Sequence, residues 1–132
     1  MSVFNKLFGN SNSKDNPTSN IDWNGLTELK QLDEIVAESA AVPVVIFKHS
    51  TRCGISRMVL KNFEEHYTID AEKAKPYFLD LLQHREISNE IATRFGVEHQ
   101  SPQLILIKEG KAVYTTSHSE IDAEELQKKV TA

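Results

Sequence analysis

Residues 44–56, VVIFKHSTRCGIS, contain the only cysteine of the chain and change their hydrophobic period midway. Val44 to Phe47 form an unbroken run of β-formers, the pattern of a strand buried on both faces. After Cys53 the period becomes helical. Ile55, Met58, Val59 and Phe63 fall at i, i+3, i+4 and i+8, which predicts a helix with these side chains on its inward stripe. Cys53 therefore lies at a strand-to-helix junction, in or just before the first helical turn. A dithiol motif would place a second cysteine three residues on, where this chain has Ser56.

Working outward, Leu32, Ile35, Val36, Ser39 and Ala40 predict a helix ahead of the strand, and Pro43 cannot continue it. Residues 77–82 read as a second strand. Ile87, Ile91 and Phe95 mark a further helix, with Gly96 as its C-cap. Gln103–Ile107 and Ala112–Thr115 predict a hairpin around Glu109–Gly110. Asp122 is placed to cap the last helix, with Glu125 completing a capping box and Ile121 and Leu126 a hydrophobic staple. Strand–helix alternation followed by a hairpin predicts an α/β fold. It is a four-stranded mixed sheet with helices on both faces and a right-handed crossover between its parallel strands.

A chain of 132 residues, 39% hydrophobic and 26% charged, makes one soluble domain. Residues 21–132 are expected to form it. Residues 1–20 are expected to be a flexible tail, in which Val3, Phe4, Leu7 and Phe8 could form one short apolar face. That run is too short and interrupted for a signal-peptide core, and no stretch supplies the roughly 18 apolar residues of a membrane span. A net charge of −4 argues against nucleic acid as a partner. One cysteine excludes an intramolecular disulfide and points to a cytoplasmic protein. The five histidines, His49, His66, His84, His99 and His118, show no metal-ligand spacing, so no metal is expected.

The order of elements, with a cysteine after the first predicted strand and a proline opening the third, resembles the thioredoxin fold over about residues 22–132. Within that span Lys48-His49-Ser50-Thr51, Cys53, Ile55-Ser56 and Ser101-Pro102 resemble the YtxJ family of monothiol bacilliredoxins. That family typically places threonine just before the cysteine and proline just after it, where this chain has Arg52 and Gly54. C-G-I-S is also similar to the C-G-F-S of monothiol glutaredoxins. Their T-V-P segment is replaced here by Gln100-Ser101-Pro102, and residues 112–122 contain no Gly-Gly pair. The bacilliredoxin resemblance implies a thiol–disulfide oxidoreductase with S-thiolated client proteins as partners. It implies a low-molecular-weight thiol, bacillithiol or similar, as co-substrate, with no tightly bound cofactor. It also implies a cis bond at Pro102, facing the cysteine and turning the Ser101 backbone toward an extended substrate. An iron–sulfur carrier of glutaredoxin type and a redox-inert binding module are the alternatives.

The chemistry gives each candidate a role. A free thiol has a pKa of about 8.5, and only its thiolate attacks disulfides. A helix start offers unpaired N–H groups and a positive dipole end to the Cys53 sulfur. Arg52 adds a cation if it turns toward the thiol, and Gly54 lets a bulky disulfide approach. Thr51 is a candidate for hydrogen bonding near the sulfur. Ser56, on the same helical side as Cys53, has either a catalytic hydroxyl or a helix-start cap.

Overall fold

Among residues 21–132, which the computed structural model describes, five strands form one mixed sheet. The expected tail, with Val3, Phe4, Leu7 and Phe8, lies outside the described residues. The elements run β1 (Asn24–Gly25), α1 (Lys30–Glu38), β2 (Val44–His49), α2 (Gly54–His66) and β3 (Lys75–Asp80). They continue through α3 (Arg85–Phe95), β4 (Gln103–Lys108), β5 (Lys111–Ser117), a 3-10 turn (His118–Glu120) and α4 (Ala123–Thr131). The sheet order is β1-β3-β2-β4-β5. β3 is parallel to β1 and β2, whereas β4 is antiparallel to β2 and to β5.

The sequence predicts four strands, and β1 is the fifth. It has only two residues, too few to carry an alternation. β3 also begins at Lys75 rather than at residue 77 and ends at Asp80. Pro76 is tolerated inside it because of the direction its nitrogen faces. The Phe78 carbonyl accepts from Leu26 N–H on the β1 side, and Pro76, two residues back, faces the same way. β1 begins only opposite Tyr77, so the missing N–H of Pro76 leaves no ladder bond unmade.

Two hydrophobic layers enclose the sheet. One joins Leu32 and Ile35 of α1 and Ile87 and Ile91 of α3 to Ile46, Leu79 and Ile105. The other joins Phe63 of α2 and Leu126 and Val130 of α4 to Phe47, Leu104 and Leu106. Burying each such side chain contributes about 1.5–3 kcal/mol relative to exposure. All six residues of β2 are buried, as its continuous apolar run predicts.

The inward face of α2 differs from the expected stripe. Ser56 and Phe63 are buried and Val59 and Leu60 partly so, but Ile55 is 59% and Met58 74% exposed. Ser56, Val59, Leu60 and Phe63 also fit a helical face, at i, i+3, i+4 and i+7. The Ser56 hydroxyl selects that face by hydrogen bonding to β2 and the loop after it.

Gly96 caps α3 in the left-handed conformation, at φ 65°. The hairpin turns on Glu109 and Gly110, both at positive φ, which matches the twist of paired strands. Asp122 caps α4 by accepting from Glu124 N–H at 2.8 Å, and Ile121 and Leu126 are buried in one cluster. Glu125 does not complete the capping box; its carboxylate pairs with Lys128.

Candidate thiol site

Cys53 is the N-cap of α2, half-buried and free. Its backbone is extended, at φ −99° and ψ 119°. Its carbonyl accepts the first intrahelical bond, from Arg57 N–H at 3.1 Å, and its own N–H donates to Ser50 at 3.1 Å. The chain thus turns sharply out of β2 and delivers the cysteine to the helix start. The N–H groups of Gly54, Ile55 and Ser56 precede the first intrahelical donor, so they and the helix dipole face the cysteine end with positive character.

Ser56 takes the place of a second thiol and is fully buried. Its Oγ accepts from Ser50 N–H at 3.2 Å and lies 2.8 Å from His49 Nδ1. The hydroxyl donates into Nδ1 when His49 carries its proton on Nε2. Burial holds His49 below the ordinary imidazole value, opposed by Asp80 and reinforced by Arg57, so the neutral ring suits this contact. The sequence left Ser56 with a catalytic and a capping alternative. In the structure its hydrogen bonds go to the loop backbone and to His49.

The outer side of the site is open. Thr51, Arg52 and Gly54 are exposed. Arg57 donates from Nη1 to the Thr51 carbonyl at 3.0 Å, bracing the turn, while Arg52 makes no ion pair among the described residues. A Cβ built on Gly54 would meet only the Arg57 Nη2 atom, at 3.9 Å. Ile55 and Met58 expose an apolar surface beside these cations.

The other wall comes from the segment before β4. The Ser101–Pro102 peptide is cis. Lys48 of β2 is the register partner of Gln103 of β4 in an antiparallel pair. The end of β2 that leads to Cys53 and the start of β4 that follows Pro102 therefore lie at the same end of the sheet. The Pro102 carbonyl is taken by His118 N–H at 3.1 Å. Among the described residues no hydrogen bond engages the Ser101 N–H or C=O, and its Oγ is buried without a partner. Topology thus brings Cys53, Thr51, Arg52, Gly54, Ser101 and Pro102 to one end of the sheet, with Ser56 buried in the first turn of α2. The arrangement can present a nucleophilic sulfur beside an unpaired stretch of backbone.

The sequence reading assigns no separate role to three residues that lie in or contact the loop before the cis bond: Lys48 and Gln103, both buried in central strands, and His99 of the loop itself. The available signal was a polar side chain at the end of each apolar run, Val44–His49 and Gln103–Ile107. No helix among the described residues is long and apolar enough to cross a membrane.

Solved structures similar to this chain share its architecture. A thioredoxin-fold protein matches with a TM-score of 0.68 at 25% identity, over 82% of this chain and 92% of its own. The thioredoxin of Malassezia sympodialis matches at 0.66 and 20% identity, over 90% and 96%. That of Fasciola hepatica matches at 0.58 and 21%, over 81% and 95%. These likenesses establish the thioredoxin fold. A family model described as monothiol bacilliredoxin BrxC matches residues 24–126, which span every element that builds the site. On that match, with a thioredoxin fold and one cysteine at the head of α2, the chain belongs to the monothiol bacilliredoxin BrxC family and has a thiol redox function.

Proposed function

We propose that this protein removes bacillithiol from S-thiolated client proteins by one-thiol exchange at Cys53. The observation that carries the reading is a half-buried cysteine at a helix N-cap, with a hydrogen-bonded serine where a resolving thiol would stand. The Cys53 thiolate attacks the small-thiol sulfur of the mixed disulfide. The S–S bond between client and small thiol breaks, and its electron pair leaves on the client sulfur as a thiolate, which takes a proton from water. The product is a disulfide between Cys53 and bacillithiol. A second low-molecular-weight thiol or a reducing protein then attacks that disulfide and restores Cys53. Ser56 cannot compete for the adduct, so the exchange stays in one-thiol mode.

Supporting roles follow from the geometry. The N–H and C=O of Ser101, unengaged among the described residues, pair with the extended client segment in the manner of an added strand. Arg52, exposed and without an ion pair among the described residues, takes the carboxylates of bacillithiol, and Gly54 leaves room for its bulk. Arg52→Ala is expected to slow transfer more than it lowers Tm, and an unchanged rate would remove Arg52 from the site.

Trapping Cys53 in a bacillithiol-producing extract and weighing the intact protein tests the reading. A mass gain equal to one bacillithiol is expected. A brown dimer holding an iron–sulfur cluster, or a thiol that stays unmodified, contradicts it.

A further inference from the structure

Lys48 is fully buried in the central strand, yet among the described residues no carboxylate pairs with it. Its ammonium reaches His99 Nδ1 at 2.8 Å, and that ring nitrogen also lies 3.3 Å from Ser88 Oγ of α3. Its register partner on β4, Gln103, is also buried and projects to the same face. Gln103 donates from Nε2 to the Glu98 carbonyl at 2.9 Å and to Thr115 Oγ1 at 3.2 Å, and its Oε1 accepts from Gln100 N–H at 3.2 Å. Two adjacent polar side chains in the core thus hold three successive residues, Glu98, His99 and Gln100, immediately before Ser101 and the cis bond.

Such an arrangement costs stability. A buried ammonium with a neutral partner is worse for the fold than an apolar side chain of similar volume. The cost has a return if the held segment must keep one conformation.

We propose that Lys48, acting with Gln103 through His99, Glu98 and Gln100, is a positioning residue that fixes the loop before Pro102 so that the Ser101 backbone meets a peptide substrate in one pose. The proposal rests on the exchange reading above for its substrate. Its geometric content, a loop held by a buried lysine, stands apart from that reading.

The test uses the full chain and Lys48→Met, which keeps the volume and removes the donor. Hydrogen exchange followed by mass spectrometry reports the loop without any turnover. Losing one net hydrogen bond, about 1 kcal/mol, is expected to raise exchange across residues 97–101 about fivefold. Exchange in α2 is expected to stay constant, and Tm to hold or rise. Two substrates then separate positioning from general damage. With a peptide carrying bacillithiol in mixed disulfide, KM is expected to rise about fivefold, again the worth of one hydrogen bond. With dithiobis-nitrobenzoate, which has no peptide to pair with Ser101, the rate at Cys53 is expected to stay within twofold. His99→Phe should reproduce both effects, and the double variant should add nothing further, because the pair acts as a unit. Unchanged exchange across 97–101 overturns the proposal whatever the activity. Equal slowing with both disulfides, together with a lower Tm, also overturns it and leaves Lys48 a structural role. A wild-type protein inert toward the bacillithiolated peptide, with loop exchange still raised in Lys48→Met, removes the exchange reading and leaves the loop-holding role standing.

Discussion

Ser56 Oγ lies 2.8 Å from His49 Nδ1, joining the first turn of the helix that Cys53 caps to the last residue of β2. The same oxygen holds Ser50 N–H, so one hydroxyl fixes both sides of the turn that presents the cysteine.

Removing that hydroxyl orphans a backbone donor on half-buried Ser50 and a nitrogen of the buried His49 ring. Ser56→Ala is therefore expected to destabilise the fold by about 1–3 kcal/mol, read as a fall in urea midpoint at constant m. Bacillithiol transfer to Cys53 should persist, because Ser56 contributes no sulfur. Loss of transfer in a folded variant would assign Ser56 a direct part in the chemistry.

Gly54 occupies the first position of α2, is exposed, and a Cβ there would meet only Arg57 Nη2, in ordinary contact at 3.9 Å. Proline suits that position, since its fixed φ is helical and its absent N–H would have had no intrahelical partner. Gly54→Pro is expected to raise stability by about 0.4–1 kcal/mol by restricting the unfolded chain. It also takes one unpaired donor away from the helix start. A lower Tm would show that the Gly54 N–H carries a bond that the fold requires.

Stability should depend on Lys48 at alkaline pH. Burial pushes this ammonium down from 10.5 to about 8. Below about pH 8 it is charged in both states and its burial cost is complete. Between about pH 8 and 10.5 the unfolded chain still binds the proton that the folded chain has shed, so unfolding free energy rises with pH. Its contact is His99, which also meets Ser88 and has Arg85 near it, and its register partner is Gln103; among the described residues no carboxylate pairs with Lys48 to offset the effect. Denaturant titrations of wild type and Lys48→Met at stepped pH should diverge across that window by up to about 3 kcal/mol in favour of wild type. Parallel curves would contradict a buried, titrating Lys48.

Much of this was legible in the sequence for identifiable reasons. β2 declared itself because a strand covered on both faces needs an unbroken apolar run, and α4 because Asp122 and the Ile121–Leu126 pair mark a helix start. The position of Cys53 followed from the change of period around it. Other features were hidden by their physics. β1 is held by parallel pairing to β3 and carries no pattern of its own. The inward face of α2 was misread because Ile55 and Met58 are apolar while Ser56 is polar, and a hydrogen bond to His49 outweighed hydropathy there. Lys48 and Gln103 were hidden for the same reason: their burial depends on partners in a loop distant in sequence from Lys48, which periodicity cannot register.

The central claim is that Cys53 takes the small thiol and releases the client. Purified protein, reduced and freed of small thiols, is mixed with an equimolar client bearing one bacillithiol, and both are weighed intact over time. The account predicts that Cys53 gains one bacillithiol while the client loses the same mass, with no transfer to Cys53→Ser. A client that keeps its modification, or that becomes stably joined to Cys53 while free bacillithiol appears, would contradict it.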